Sequence, residues 1–458
     1  MSQQRIISTQ LSRRMWLGSS CSAFLSRAII ADDVTPQTKY PRATSGDDRS
    51  EPDWNERLTI TVGHKDADLV GSTEKVIQAA VDSVARIGGG TVKVLPGIYR
   101  FRNAIALSSR VRIVGSGSDS VLIKEPSVVS TIRHDSDWFD QEITLQDDRE
   151  FRVGDGICIR ATNTDNNASI VLKRTLVARS GKRFKLDRPL RENIWRMGKP
   201  TASTLFPLLT GEHVSDILID NIVLDGNKGN NENLDGNHAG CIFLQDCNRI
   251  TMRNVEAREY NGDGLSWQIC HDCVVEDCHS HDHTGLGLHP GSGSQRSVML
   301  RNTLERNDIG IFFCWGVRFG LAEKNRIQNN RTFGVSVGHR DTDNIIQNNE
   351  ITGSGKAGIV FRPERGEGFS GDRNKIIDNK IIDSGLADGV GIDVQGYTSA
   401  LDIFGNELRE TRGPEKRIGI RLGEHVGGVH IGENQIVGFS SEQVDLRTKT
   451  VRETVVSP

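Results

Sequence analysis

LGLHPGSGSQRSVMLRNTLERNDIGIFF, residues 286–313, is the stretch on which the fold turns. Gly287 and Gly310 stand 23 residues apart with Asn302 between them, and Leu288 and Ile311 directly follow the two glycines. Both markers recur along the chain. A glycine opens each unit at Gly240, Gly264, Gly287, Gly310, Gly334, Gly358, Gly391 and Gly419, at spacings of 24, 23, 23, 24, 24, 33 and 28. An independent series runs Asn221, Asn254, Asp277, Asn302, Asn325, Asn349, Asn379, Asn406 and Asn434. Two markers in register over eight units describe a solenoid.

The side-chain period identifies the solenoid. One place after the glycine stand Cys241, Leu265, Leu288, Ile311, Val335, Ile359, Ile392 and Ile420. Three places after, the residues are again mostly apolar, from Phe243 and Trp267 to Leu422. The place between them is mixed, including Ser266, His289, Phe312, Ser336 and Asp393. Period two means strands with one buried face. The asparagines read as turn residues whose amides bond from coil to coil. The leucine spacing of leucine-rich repeats is absent. The expected class is all-β: a right-handed parallel β-helix spanning residues 57–440. A tail at 441–458 follows it.

The remaining segments fit around this core. Ser72 and Thr73 start a helix with Val76, Ile77, Ala80, Val81, Val84 and Ile87 on one face, and Gly88-Gly89-Gly90 ends it. It can cover the open end of the stack. Short strands follow at 91–96, 97–101 and 110–117. Residues 141–192 alternate differently and read as a small inserted β unit. Ser12-Arg13-Arg14-Met15-Trp16-Leu17 resembles a twin-arginine export motif, so residues 1–31 read as a signal peptide and 32–56 as a linker. The expected location is periplasmic or extracellular. A disordered basic tail is the alternative for the first segment.

Composition narrows the function classes. With 57 basic against 60 acidic residues the chain lacks the basic stripe that nucleic acid requires. It has no apolar run long enough to span a membrane. Six of the eight cysteines fall between Cys241 and Cys314. Cys270, Cys273, Cys278 and His281 have a spacing that zinc accepts. Yet Cys270 lies one coil from Cys247, and Cys273 takes the place of Ile250. Core packing is the favoured reading, with a Cys247–Cys270 bridge and a metal as alternatives. A phosphate loop fails at 287–290, because Pro290 replaces the needed glycine and a strand follows.

Two segments carry a family resemblance. The helix followed by GGGTVKVLPGIYRF (88–101) is similar to the N-terminal cap of pectate-lyase-like right-handed parallel β-helix proteins. FPLLTGEHVSDILIDNIVLDGN (206–227) resembles their central entry coils. The superfamily includes polysaccharide lyases, polygalacturonase-type hydrolases, uronan epimerases and non-catalytic adhesins, so the resemblance implies fold more than reaction. Asn261-Gly262-Asp263-Gly264 resembles the N-T-D-G of polygalacturonases, but the next coil offers Asp282 without a double aspartate. Leu286-Gly287-Leu288-His289-Pro290-Gly291 shares the frame of the epimerase motif Y-G-F-D-P-H, with its tyrosine, aspartate and histidine replaced.

Stacking sets equivalent positions side by side, so candidate residues gather on one face. Asp263, His289, His339, Asp282 and Asp308 are the catalytic candidates. Arg340, Arg362, Glu364, Trp315, Gln268 and Asp393 are the candidates for substrate binding. Such a strip suits an anionic polysaccharide, because aromatic rings stack on sugars and arginines pair with carboxylates. β-Elimination needs a group that neutralises the uronate, Arg340 or Arg362, and a base, His289 or His339. Hydrolysis needs two carboxyl groups, Asp263 with Asp282 or Asp308. The expected function is an exported enzyme on a uronate-containing polysaccharide, with elimination favoured because imidazole and arginine outnumber well-placed acids. Glycoside hydrolysis and non-catalytic carbohydrate binding remain open. The superfamily's use of calcium makes Ca2+ possible, and the loop from Asp225 to Asn237 is the candidate for it. Asp263 is the sharpest single feature, because its row is otherwise largely apolar, from Leu286 and Ile309 to Ile418.

Overall fold

Period-two strands separated by short corners stack as parallel coils in the computed structural model, which describes residues 56–448. The signal-peptide segment, and the linker up to residue 55, lie outside the described residues. One sheet has eleven strands, one per coil, from Ile105–Ala106 through Asp263–Gln268 and Leu286–Gly291 to Ser441–Asp445. A second set of 22 strands forms the other walls. The last strand pairs in parallel with Ile418–Leu422, so the solenoid continues past residue 440 to Asp445. The interior is one continuous apolar cluster running from Val62 to Val426.

The helix forms at Glu74–Arg86 and buries Ile77, Ala80, Val81 and Val84 against the first coil. Ile87 does not share that face. It follows the last helical residue and is exposed, ahead of Gly88 and Gly89 at φ 101° and 120°.

The corners explain the repeat. One residue in each adopts the left-handed conformation, as at Asp272, Arg296 and Asp343 in one column and Asn254, Asp277 and Asn348 in the next, with φ between 51° and 62°. The residue after this second column points inward. There Asn302, Asn325, Asn349, Asn379, Asn406 and Asn434 form a ladder. Each of the first five donates its backbone N–H to the side-chain Oδ1 of the next, at 2.9–3.0 Å. Asn349 also donates Nδ2 to the Ala322 carbonyl and to Asn379 Oδ1. Asn221, Asn254 and Asp277 do not belong to this ladder. They occupy the left-handed corner itself, one residue earlier, and are exposed. Cys278 holds the ladder position in its coil and donates its N–H to Asn302 Oδ1.

The cysteines pack as small apolar groups. Cys158, Cys241, Cys247, Cys270, Cys273 and Cys278 are buried free thiols, and the Cys247 N–H points at Cys270 Sγ, 3.4 Å away. Among the described residues no three His, Cys, Asp or Glu side chains are grouped to hold a metal ion.

The inserted unit is a separate six-stranded antiparallel sheet with its own apolar core. It runs from Val129–Thr131 to Thr201–Ser203, wider than the expected 141–192, because two three-residue strands at its ends pair with each other. Strands that short carry no readable alternation.

Two stability predictions follow from the corners. Asn349→Ala leaves the Asn325 N–H buried without its acceptor and breaks the side-chain ladder at that coil, and should cost ~1–3 kcal/mol. Asn348→Gly, at the adjacent left-handed position, should cost under ~1 kcal/mol. Denaturant titrations followed by circular dichroism compare them, and equal losses would remove the ladder from its role. Asp341 is fully buried at another corner, where it accepts the Val317 and Gly338 N–H groups at 2.9 Å. Burial raises its carboxyl from 3.8 to about 6. The native state therefore holds this proton more tightly than the unfolded chain, so its stabilising contribution is full below pH 3.8 and is lost as pH rises through about 6. The stability advantage of the wild type over Asp341→Asn should shrink by roughly 2–3 kcal/mol across that window. A constant difference between pH 4 and pH 7, from the same titrations, would show that Asp341 does not titrate there.

Candidate functional site

The outward row of the eleven-stranded sheet runs Thr210, Phe243, Ser266, His289, and further on Ser336, Val360, Asp393 and Arg421. Phe243 belongs to it because Ile242 and Leu244, not Cys241 and Phe243, pair with inward Leu265 and Trp267. The glycine marker is displaced by one residue at Gly240, which pairs with Asp263, and a one-residue slip moves a side chain to the opposite face.

Asp263 and His289 meet on adjacent coils. His289 Nδ1–H donates to Asp263 Oδ2 at 2.8 Å, and both residues are only 3% exposed. Asp263 Oδ1 accepts the Leu286 N–H at 2.9 Å. Both carboxylate oxygens are thus engaged. The carboxylate fits between two backbones that must lack side chains: a Cβ on Gly236 would lie 1.6 Å from Oδ2, and one on Gly285 would lie 2.2 Å from Oδ1. His289 Nε2 makes no hydrogen bond among the described residues. Asp263 therefore fixes the tautomer in which Nε2 carries the lone pair, as a carboxylate behind a catalytic imidazole does. Ser266 Oγ donates to the Gly236 carbonyl at 2.7 Å and anchors the loop over this pair. Gln268 Nε2 donates to Ser266 Oγ, and its buried Oε1 has no partner.

A second cluster lies on the following coils. The Phe312 ring meets His289 edge-on at 5.4 Å between centroids, and the Arg362 guanidinium lies over the same ring at 4.5 Å. Arg362 donates to Ser336 Oγ at 2.7 Å, to the Phe313 carbonyl at 3.0 Å and to Glu364 at 3.2 Å. Asp341 lies 3.5 Å away. These contacts leave one hydrogen on Nη1 without an acceptor among the described residues. Glu364 accepts the His339 N–H at 2.9 Å. Trp315, half-exposed, stacks on His339 at 4.5 Å, and Phe369 meets the same imidazole at 5.2 Å. Arg340 covers Phe369 at 4.3 Å and donates to the Gly368 carbonyl. His339 Nδ1 is buried without a hydrogen-bond partner. Trp315, His339, Arg340, Arg362 and Glu364 thus share one surface, reached from His289 through Phe312.

Other candidates lie elsewhere. Asp282 sits at the left-handed corner between strand His279–His281 and the groove strand Leu286–Gly291, clamped by both ends of the Arg306 guanidinium at 2.8 Å and by His281, and Arg306 holds its carboxyl well below the usual range. It cannot join Asp263 in the groove. The neighbouring His283 is fully buried, with Nδ1 accepting the Tyr260 N–H, and burial pushes its imidazole down to about 3. Asp308 binds Thr332 in the turn before its strand. Asp393 lies four coils beyond His289 and forms a two-point ion pair with Arg421. In the loop proposed for calcium, Asp225 is paired with Arg258 and Asp235 closes a turn on Asn237. Both aspartates thus already have protein partners. The sequence reading missed Gly236, Gly285, Phe369 and Asp341. The repeated glycines could not flag the first two, because neither belongs to the repeat.

Residues 220–366 match the family model described as "Right handed beta helix region". No curated protein sequence matches the chain. Among solved structures, an A-module of mannuronan C-5 epimerase from Azotobacter vinelandii is 16% identical, with a TM-score of 0.53, covering 84% of this chain and 97% of its own. A second A-module of that organism's epimerases is 16% identical at a TM-score of 0.48, over 82% and 96%. The surface adhesin PfbA of Streptococcus pneumoniae is 11% identical at 0.47, over 84% and 93%. At such identities only fold is shared. The matched region includes Asp263, His289, Trp315, His339 and Arg362, and the chain is a right-handed parallel β-helix protein.

Proposed function

We propose that the outward face of the eleven-stranded sheet binds a uronate-containing polysaccharide and cleaves it by β-elimination, with His289 as the base. The buried 2.8 Å bond from His289 to Asp263 carries this reading. It leaves Nε2 as a proton acceptor and takes Asp263 out of the role of free acid or nucleophile. Nε2 removes the proton on the carbon beside the sugar carboxylate. That electron pair forms the double bond as the oxygen on the next carbon departs, and the departing oxygen takes a proton from solvent. The free hydrogen of Arg362 and its positive charge favour the carboxylate as charge spreads into it. The Trp315–His339 surface offers a sugar-stacking platform on the same face. Export is proposed with it, on the twin-arginine-like start of the sequence.

Hydrolysis is the second reading. It would need Asp263 to give up one of its two contacts.

Incubation with galacturonate, alginate and hyaluronan polymers, read by ultraviolet absorbance of the unsaturated product, tests the proposal. His289→Gln should reduce turnover by ~10²–10⁴. Asp263→Asn should do nearly as much, because the amide can donate to Nδ1 and force the proton onto Nε2. Trp315→Ala should raise KM and spare kcat. New reducing ends without that absorbance would assign hydrolysis instead, and binding without either product would assign a carbohydrate-binding protein.

A further inference from the structure

The inserted β unit overhangs the groove at the N-terminal end of the eleven-stranded sheet. Between them lies a cleft of about 1070 Å³ whose lining includes Lys173, Arg188, His238 and Phe243. Phe243 neighbours Ser266 in the outward row, and Ser266 neighbours His289. The cleft therefore opens two coils, ~10 Å, from the Asp263–His289 pair on the same face. The loop that walls it is the one held at Gly236 by Ser266.

The charge of the cleft differs from that of the chain. The whole sequence has a net charge of −3, yet Lys173, Arg174, Arg188 and Arg191 line the cleft against Asp187 and Glu212. Arg174 is consumed by the carbonyls of Lys173, Pro189 and Leu190. Asp187 accepts the Thr175 N–H. Lys173 is different. Its Nζ sits 3.8 Å over the Phe243 ring and donates one hydrogen bond, to the His238 carbonyl at 2.6 Å. An ammonium has three donors, so two remain for a ligand. Burial lowers this lysine from 10.5 to about 8, the mark of a cation lacking full solvation. Arg188 is half-exposed, and its nearest carboxylates, Asp187 and Glu212, stand 3.8 Å off. Lys173 has no carboxylate within ion-pair distance among the described residues, and the two Arg188 ion pairs are long and solvent-exposed, so both cations can take an anion attached to a chain that already lies along the groove.

We propose that the inserted unit forms a carboxylate-reading subsite in which Lys173 and Arg188 hold a uronate further along the bound polysaccharide. The subsite rests on the outward face being a polysaccharide groove, and is independent of which reaction His289 performs. It makes the enzyme prefer chains charged beyond the reacting sugar.

The test uses the full chain with oligogalacturonates and oligomannuronates of two and six residues, and cellohexaose as the neutral control. Isothermal titration gives Kd, and product absorbance gives kcat and KM. Lys173→Met keeps the aliphatic stem over Phe243, and Arg188→Gln removes only two exposed ion pairs, of the kind that contribute little to stability. Each should weaken binding of the charged hexamer about tenfold, raise its KM and leave kcat unchanged. Dimer kinetics and cellohexaose binding should stay as in the wild type. Hexamer Kd within twofold of wild type in both variants overturns the subsite, and so does an equal loss for dimer and hexamer. Product formation that ignores both substitutions leaves elimination standing without the subsite. Substitution-sensitive hexamer binding without unsaturated product leaves the subsite standing without elimination. A wild type that binds no charged hexamer removes both.

Discussion

A corner of this coil turns a backbone N–H inward, where no water reaches it, and the next coil must supply the acceptor. Asparagine does so because its side chain is short enough to stay in the corner and carries an acceptor and donors together. Each amide in the ladder from Asn302 to Asn434 accepts from the previous coil, and most donate to the next. An unmet buried amide costs more than a typical hydrogen bond contributes, so the arrangement penalises slippage more than it adds stability. Register is what it protects. A slip of one residue between coils would turn Ser266 and His289 into the core and Leu265 and Leu288 out to solvent.

Fixed register is what makes a site possible on so regular a scaffold. Asp263 and His289 are 26 residues apart, and nothing local brings them together. They meet because their strands are adjacent coils held in one alignment. The apolar row is interrupted at a carboxylate that would be costly alone. Its cost is offset by the His289 and Leu286 N–H donors, and the space it occupies exists because Gly236 and Gly285 lack side chains. The remaining outward row is structural along much of its length. Ala357, Val360 and Val390 form a small apolar cluster of their own, and Asp393 is neutralised by Arg421. The buried carboxylate–imidazole pair is therefore a local feature of the coils around His289.

The solenoid was legible because its cause is periodic. Glycine spacing and alternation at the strand gave the coil, the buried face and the rows, and the capping helix followed from its own 3.6-residue period. The details that failed are those where neighbouring positions share a residue type. Asparagine is favoured both in the left-handed corner and in the inward ladder beside it, so Asn254 and Asn302 looked alike although one is exposed and the other buried. Asp282 looked like a groove acid for the same reason: aspartate also suits a corner, and its partner Arg306 stands 24 residues away. Phe243 was hidden by the single irregular alignment at Gly240.

What the repeat could not announce is the part contributed by the insertion, because an insertion has no period to read. Its antiparallel sheet has a separate core and does not depend on the coil's corners for register. It meets the stack at a few points, with Cys158 in the main core and Asp155 on Arg102, while the coils themselves hold the Asp263–His289 pair. The two cations that face the groove from this unit, Lys173 and Arg188, lie on a β strand and in the turn after another, where side-chain changes alter charge but not coil register. A fold whose coil register is held by buried amides can carry further charged side chains on an appendage. In this molecule the boundary between the two falls at the Phe243 ring, with the coil's alignment on one side and the lysine of the insertion on the other.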